Sequence, residues 1–378
     1  MFKITVSLLT FFTFSVAHST PSILSFSSSP VAENQIIISG ADFGSTGPNV
    51  VLFDDFSEDI EEGAQFSATA KIGTWQQMHA VKYSDAALSN GQGARLILED
   101  GHIQNYFLFP EPASEVFVSS YAYVPSGYKF PTATEFETMP DVSALKHHWV
   151  YYGPNGYASG AGHDVFGPNW TGTSWMTVTS NETKVYLYQE WKNPGWEWGK
   201  PVRLSHWLKG NEANVEGTEG AFQGVTSTGQ VNSVYNESNM DGKVWFNPEY
   251  EDKGMPYVWD RLSVVGYFRS GSSYPTHNYV IDDVYLAIGP NAAARVEIGN
   301  APVYENCTKL AIATPDTWTD TSINVTVRGG RFSSDDSVYL FVIDASNTPS
   351  KGYGPLSFQN TDSMLLQTQP TIINILQQ

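Results

Sequence analysis

Between residues 50 and 290 the hydrophobic pattern repeats every two residues, and no long stretch repeats every 3.6. Apolar-rich runs recur at Ala94–Glu99, Glu115–Val124, Ala144–Tyr152, Ser174–Thr179, Val185–Trp191, Arg203–Leu208 and Lys243–Phe246. Gly, Pro, Asn and Ser punctuate them. A period of two places alternate side chains on opposite faces of a strand, and a sheet so built must bury one face against a second layer. The chain is therefore expected to be an all-β sandwich or jelly roll.

The clearest instance is Tyr257–Gly289. Leu262, Val264 and Phe268 fall on one face of its first strand, and Arg261, Ser263, Tyr267 and Arg269 on the other. A turn-rich Ser-Gly-Ser-Ser-Tyr-Pro leads into the second run, Tyr279–Ile288. A hairpin of this kind is marginal alone and requires a larger sheet around it.

The remaining bounds concern compartment and partners. Met1-Phe2-Lys3, an apolar run from Ile4 to Val16 and Ser15-Val16-Ala17 read as a secretory signal peptide over residues 1–17. The run is too short to span a bilayer comfortably, and no second one of spanning length follows. A secreted or extracellular protein is expected. Cys307 is the sole cysteine, so no intrachain disulfide exists and the core must supply the stability. A formal charge of −19 and a pI near 4.7 argue against nucleic acid as a partner.

Two resemblances refine this. The pattern PSILSFSSSP…IIISGADFG resembles the opening of an IPT/TIG immunoglobulin-like domain, and Arg295–Asn300, Trp318–Val327 and Ser337–Ala345 look like its later strands. The body carries Phe53-Asp-Asp-Phe56, a Trp259-Asp-Arg-Leu-Ser-Val264 strand and a closing Tyr279–Leu286 strand. It resembles the concanavalin A-like lectin/glucanase jelly roll, a fold also used by polysaccharide lyases. These resemblances imply a jelly-roll sandwich with a second, small immunoglobulin-like β-sandwich. The expected organisation is N-terminal TIG-like strands at 18–49, the jelly roll at 50–290, a C-terminal TIG-like sandwich at 291–358 and a loose tail at 359–378. One small sandwich interrupted by a large insertion, or an N-terminal arm with a separate C-terminal domain, would both satisfy the pattern.

A jelly roll of this type carries its groove on the outer, concave face of one sheet. Alternation places Val118, Ala122 and Val124 inward, and Tyr121 and Tyr123 outward beside Ser119. Tyr267 and Arg269 are expected to be exposed likewise. Exposed rings suit sugar C–H faces, with polar side chains reading the ring edges. Nine of the eleven tryptophans lie between Trp149 and Trp259, and Trp196 and Trp198 are expected to rim the groove. The lyase likeness implies Arg, Gln or Asn, His and Tyr as the catalytic set, here His148, Tyr152, Tyr188, Gln189 and Arg203. Asp54, Asp55, Asp282 and Asp283, on the first and last body strands, suit a structural Ca²⁺. No Glu-x-Asp-x-x-Glu run, Gly-x-Ser-x-Gly elbow, His-Glu-x-x-His or phosphate loop occurs. The expected function is that of a secreted polysaccharide-engaging protein, with β-eliminative lysis of an acidic glycan as its candidate activity. The alternatives are a non-catalytic carbohydrate-binding or adhesion module, or a structural surface protein.

Overall fold

The computed structural model describes residues 19–97, 105–123, 125, 146–151, 160–164, 174–180, 189–192, 199–210, 218–235, 259–267 and 279–360, and within some strands between 146 and 267 the backbone alone. The expected signal peptide and nearly all of the tail lie outside these residues. Among the described residues twenty-one strands follow one another. They begin β1 (Ser22–Phe26), β2 (Gln35–Ala41), β3 (Asn49–Asp54), β4 (Ala80–Ser84), β5 (Gln92–Leu96), β6 (Tyr106–Ala113) and β7 (Glu115–Tyr123). Next come β8 (Lys146–Tyr151), β9 (Gly160–Asp164), β10 (Ser174–Ser180), β11 (Gln189–Lys192), β12 (Val202–Gly210), β13 (Thr218–Thr226) and β14 (Gly229–Tyr235). Last are β15 (Trp259–Tyr267), β16 (Val280–Ile288), β17 (Arg295–Gly299), β18 (Leu310–Trp318), β19 (Ser322–Thr326), β20 (Ser337–Ile343) and β21 (Tyr353–Ser357). The fold is all-β. Among the described residues no helix is long and apolar enough to cross a membrane.

The strands form three sheets. An eight-stranded sheet runs β14-β13-β12-β7-β16-β5-β4, with β3 also paired to β16, and a six-stranded sheet runs β11-β10-β9-β8-β15-β6. The third runs β1-β2-β19-β18-β17-β20-β21, so strands from both chain ends share one sheet. Alternation explains how they stack. Val116, Val118 and Ala122 of β7 and Val202, Leu204 and Leu208 of β12 meet Phe107, Val150, Leu262 and Val264 of the six-stranded sheet in one core. Ile36, Ile38, Val296, Ile298, Leu340 and Val342 form the core of the seven-stranded sandwich.

The intervening residues of the eight-stranded sheet do not face water. Phe53, Phe117, Trp207, Tyr285 and Ala287 pack against Ala292, Ala293 and Ile312 at the seven-stranded sandwich. Polar residues in this buried layer must be paired, because desolvation without a partner costs several kcal/mol. Arg203 grips Glu297 of β17 with both ends of its guanidinium, at 2.9 and 3.1 Å. Arg295 donates to the same carboxylate, Tyr304 donates to it at 2.8 Å, and Arg203 also donates to Ser119. The Arg295 guanidinium lies 4.3 Å from the Phe117 ring centroid. Burial pushes Glu297 upward, but Arg203 and Arg295 outweigh it and hold its carboxyl at about 2.

Removing one member of such a set strands the others. Glu297→Ala is expected to lower the unfolding free energy by about 3–5 kcal/mol, because two buried guanidiniums lose their counter-ion. Glu305→Ala, at an exposed site nearby, should stay within about 0.5 kcal/mol. Urea unfolding of the two variants measures both; equal effects would contradict the pairing described.

Candidate functional site

With one face of the eight-stranded sheet covered, the outer face of the six-stranded sheet is the candidate ligand surface. Its described part is built by three neighbouring segments. Residues 77–79 run antiparallel to the start of β6, Gln77 opposite Tyr106. Met78 enters the core, so Gln77 and His79 occupy the other face, where Gln77 Nε2 and His79 Nε2 lie 3.2 Å apart. In β6, Phe107 and Phe109 are core residues, leaving half-buried Tyr106 and 38% exposed Leu108 outside. In β15, Leu262 and Val264 are core residues, leaving Arg261 and Ser263 outside. Leu108 pairs in register with Arg261, and Tyr106 with Ser263.

The result is a contiguous patch of Gln77, His79, Tyr106, Leu108, Arg261 and Ser263. The Arg261 guanidinium lies 5.5 Å from the Tyr106 ring centroid. Arg261 Nε and the fully buried Ser263 Oγ have no hydrogen-bond partner among the described residues. Both atoms are shielded from solvent, so Leu108 and the half-buried Gln77, His79, Tyr106 and Arg261 side chains are the parts of this patch a ligand can touch, an aromatic face beside a cation suiting a polar or anionic ring compound. Across β15, Arg261 and Ser263 are paired in register with Tyr151 and Trp149 of β8.

Several expected site residues lie elsewhere. Tyr121 is 3% exposed rather than outward, with its hydroxyl donated to the Leu310 carbonyl and Arg331 over its ring. Burial pushes its phenol up to about 12, against the lowering effect of Arg331 and Arg203. Tyr123 is likewise buried, bonded to Asp85 and packed on Leu88 and Val280. Tyr121 lies on the face opposite Val118 and Ala122, as alternation predicts, and a second sandwich covers that face. Arg203 is correspondingly a buried structural cation and not free for catalysis. The seam beside it keeps a cavity of about 10 Å³ lined by Ser119, Tyr121, Arg203, Asp283 and Arg328, room for about one water and not for a sugar.

His148 is also buried, opposite Val264 in the core row, because register breaks between positions 146 and 149 shift the alternation. Gln189 and Tyr267 fall within β11 and β15, where their side chains lie outside the description. Tyr152, Tyr188, Trp196, Trp198 and Arg269 lie outside the described residues. Sequence reasoning passed over Gln77, His79 and Tyr106. The alternation Gln77-Met78-His79-Ala80 was their signal, and it is short.

The four aspartates gather at the seam between β3 and β16, where Asp54 is opposite Val284. Their oxygens are largely taken. Asp54 accepts from Trp75 Nε1 and the Phe56 amide, Asp55 from Ser57 and Lys71, Asp282 from the Ser89 and Asp283 amides, and Asp283 from the Ser89 hydroxyl. Among the described residues no three carboxylate, imidazole or thiol groups are spaced to hold a metal ion. As arranged, these residues do not fit a calcium cage. Burial instead raises Asp54 to about 6 and, against the Ser89 hydrogen bond, Asp283 to about 7; Asp282 rises through burial and the neighbouring Asp283.

No family model matches the chain, and no curated relative does. Among solved structures it is similar to the PL-14 alginate lyase from Aplysia kurodai, at 8% identity and TM-score 0.33, covering 55% of this chain and 89% of that one. The alginate lyase vAL-1 from Chlorella virus matches at 11% identity and TM-score 0.34, covering 57% and 92%. The CBM2 module of the evolved Dit of Lactobacillus casei BL23 phage J-1 matches at 8% identity and TM-score 0.31, covering 65% and 97%. Likenesses this loose carry no activity over to this chain.

The acidic seam gives a prediction with a definite sign. A carboxyl raised from 3.8 to about 7 in the folded state destabilises the fold above that pH, and the penalty shrinks to nothing as pH falls to 3.8. Asp283→Asn keeps the shape, and Asn tolerates the φ of 48° at this position. Its melting temperature should exceed that of the parent at about pH 8, with the gain vanishing near pH 4. Added calcium should leave the parent unchanged. A lower melting temperature in the variant, or a calcium-dependent rise in the parent, would contradict this account.

Proposed function

We propose that the chain is an exported protein that engages a polysaccharide along the outer face of its six-stranded sheet. The single observation that carries this is Arg261 laid over the Tyr106 ring, beside Gln77 and His79. A ring face can stack on sugar C–H groups, and a guanidinium offers paired donors to a carboxylate. Export is supported by the Met1–Ala17 pattern, and an acidic chain leaves Arg261 as a local cationic feature. A TIG-like sandwich interrupted by the body at 50–290 belongs to the same proposal, supported by the continuous pairing of β2 with β19.

The finer reading is β-elimination on an acidic glycan. Arg261 would neutralise the uronate carboxylate and so acidify the proton on the adjacent carbon. An imidazole or phenolate base, His79 or Tyr106, would take that proton. The electron pair forms a carbon–carbon double bond as the glycosidic C–O bond breaks, and the other group protonates the leaving oxygen. A non-catalytic carbohydrate-binding or adhesion module is the second reading. It is favoured by the tight packing of Arg203 and His148, two of the five expected catalytic residues, and of Tyr121 and Tyr123 from the expected binding set.

A panel of alginate, pectin, ulvan and glycosaminoglycan distinguishes the readings. Rising ultraviolet absorbance from the conjugated unsaturated product supports lysis, and retardation in an affinity gel without such a rise supports the binding module. Binding to no member of the panel overturns both. Arg261→Ala should weaken binding of the acidic glycan by roughly 10–100-fold, since a charge-assisted hydrogen bond is worth about 1.5–3 kcal/mol. Unchanged affinity would remove Arg261 from the site.

A further inference from the structure

The chain has 39 acidic side chains against 20 lysines and arginines, so a cation here usually meets a carboxylate. Arg203 and Arg295 share Glu297, Arg328 donates to Glu33, and Arg331 donates to the Ala87 carbonyl. Arg95 and Arg261 differ. Among the described residues each meets a tyrosine ring and no carboxylate, Arg95 over Tyr83 at 5.7 Å and Arg261 over Tyr106 at 5.5 Å. One strand joins the two pairs. Residues 77–79 lie beside β6, with Gln77 opposite Tyr106, and the chain runs on into β4 of the eight-stranded sheet. Met78 and Ala80 enter the core, as do Ala94 and Leu96 of β5. Alternation therefore sets Gln77, His79, Val81 and Tyr83 in one row on the outside of the body. The Ile97 amide donates to the His79 carbonyl and Val81 pairs with Arg95, so Ile97 and Arg95 flank this row. Exposed Gln65 lies opposite Val81 on the other side. The apolar seam with the seven-stranded sandwich takes in residues of β3, β7, β12, β13 and β16 and none of β4 or β5. Val81, Tyr83 and Arg95 are half-buried, and Ile97 is 38% exposed.

We propose that the polysaccharide surface continues along this row, round the edge of the body, to a second subsite at Tyr83 and Arg95, so that one acidic glycan chain engages both arginine–tyrosine pairs at once. This rests on the reading of the outer face of the six-stranded sheet as a polysaccharide surface, and adds to it the class of ligand. The occupant is a polyuronate, a linear chain with a carboxylate on recurring sugar units. Each pair offers what one such unit needs, a ring for its C–H face and a guanidinium for its carboxylate. Between the pairs, Gln77, Gln65 and His79 supply hydrogen-bonding groups, and Val81 and Ile97 apolar contact. From Gln77 to Tyr83 the strand covers about 20 Å, at about 3.3 Å per residue. A disaccharide is too short to bridge that distance. A polymer held at the first pair meets the second as an intramolecular event, and gains affinity without a new molecule having to bind. Two carboxylates also act on Tyr83: Asp85, which accepts from the Tyr123 hydroxyl and the Ala87 amide, and exposed Glu62. Holding an anion at this end therefore depends on Arg95.

The test uses the full chain and two polyuronates, alginate and polygalacturonate, each beside its own disaccharide. In the parent, the polymer should bind more tightly than the disaccharide. Arg95→Ala should cut the ratio of polymer to disaccharide affinity by roughly 10-fold, the loss of one charge-assisted hydrogen bond at a half-exposed site. Where Arg95→Ala does not fold, Arg95→Gln carries the same expectation. An unchanged ratio in the Arg95 variant, with Arg261→Ala weakened as expected, would remove the second subsite and leave the first standing. Equal loss of polymer and disaccharide affinity in the Arg95 variant would overturn the second subsite too, since it reports a disturbed sheet. Binding of neither polyuronate by the parent overturns this inference outright, and the wider glycan panel decides the broader reading separately.

Discussion

The grip of Arg203 and Arg295 on Glu297 decides which surfaces of this protein are surfaces at all. It draws the outer face of the eight-stranded sheet against the seven-stranded sandwich and buries Phe117, Trp207 and Tyr285 between them. Buried ion pairs are poor evidence for net stability, since apolar replacements often do as well. What a forked guanidinium adds is orientation: with Ser119, Tyr304 and Asn347 also engaged, a shifted docking would strand several charges at once. The consequence for function is direct. The proposed polysaccharide surface is therefore on the other sheet.

The two sheets of the body treat their polar residues differently, and the difference follows from position. Between the sheets, Ser120 bridges His147 and His148, Tyr279 reaches His147, and burial disfavours the charged form of His147, His148 and His206. On the outer face of the six-stranded sheet, Arg261 lies over the Tyr106 ring, and its Nε and the Ser263 hydroxyl have no hydrogen-bond partner among the described residues. A buried donor atom left without a partner forgoes stability at that point, as functional sites often do.

Period-two alternation made the all-β class and the sidedness of many residues legible in the sequence. Alternation puts Leu262 and Val264 inward with Arg261 and Ser263 outward, and Val118 and Ala122 inward with Ser119 and Tyr121 opposite; the structure has the same sidedness. Alternation reports a side, however, and not what lies beyond it. That Tyr121 faces Leu310 and Arg331 instead of solvent depends on a contact some 190 residues away in sequence. His148 was misassigned for a different reason, since an irregular register near the start of β8 lets both His147 and His148 point into the core. Gln77, His79 and Tyr106 were illegible because Asn105–Pro110 shows little polarity contrast and residues 77–79 form a single extra bridge and not a full strand.

Amide hydrogen exchange on the full chain tests the central claim, that the outer face of the eight-stranded sheet is sealed. Ser119–Tyr121 in β7, Arg203–Trp207 in β12 and Arg295–Gly299 in β17 should exchange together and only through global unfolding. Exchange of β7 and β12 through a local opening that leaves the seven-stranded sandwich protected would contradict it, and would return that face to the surfaces a ligand can reach.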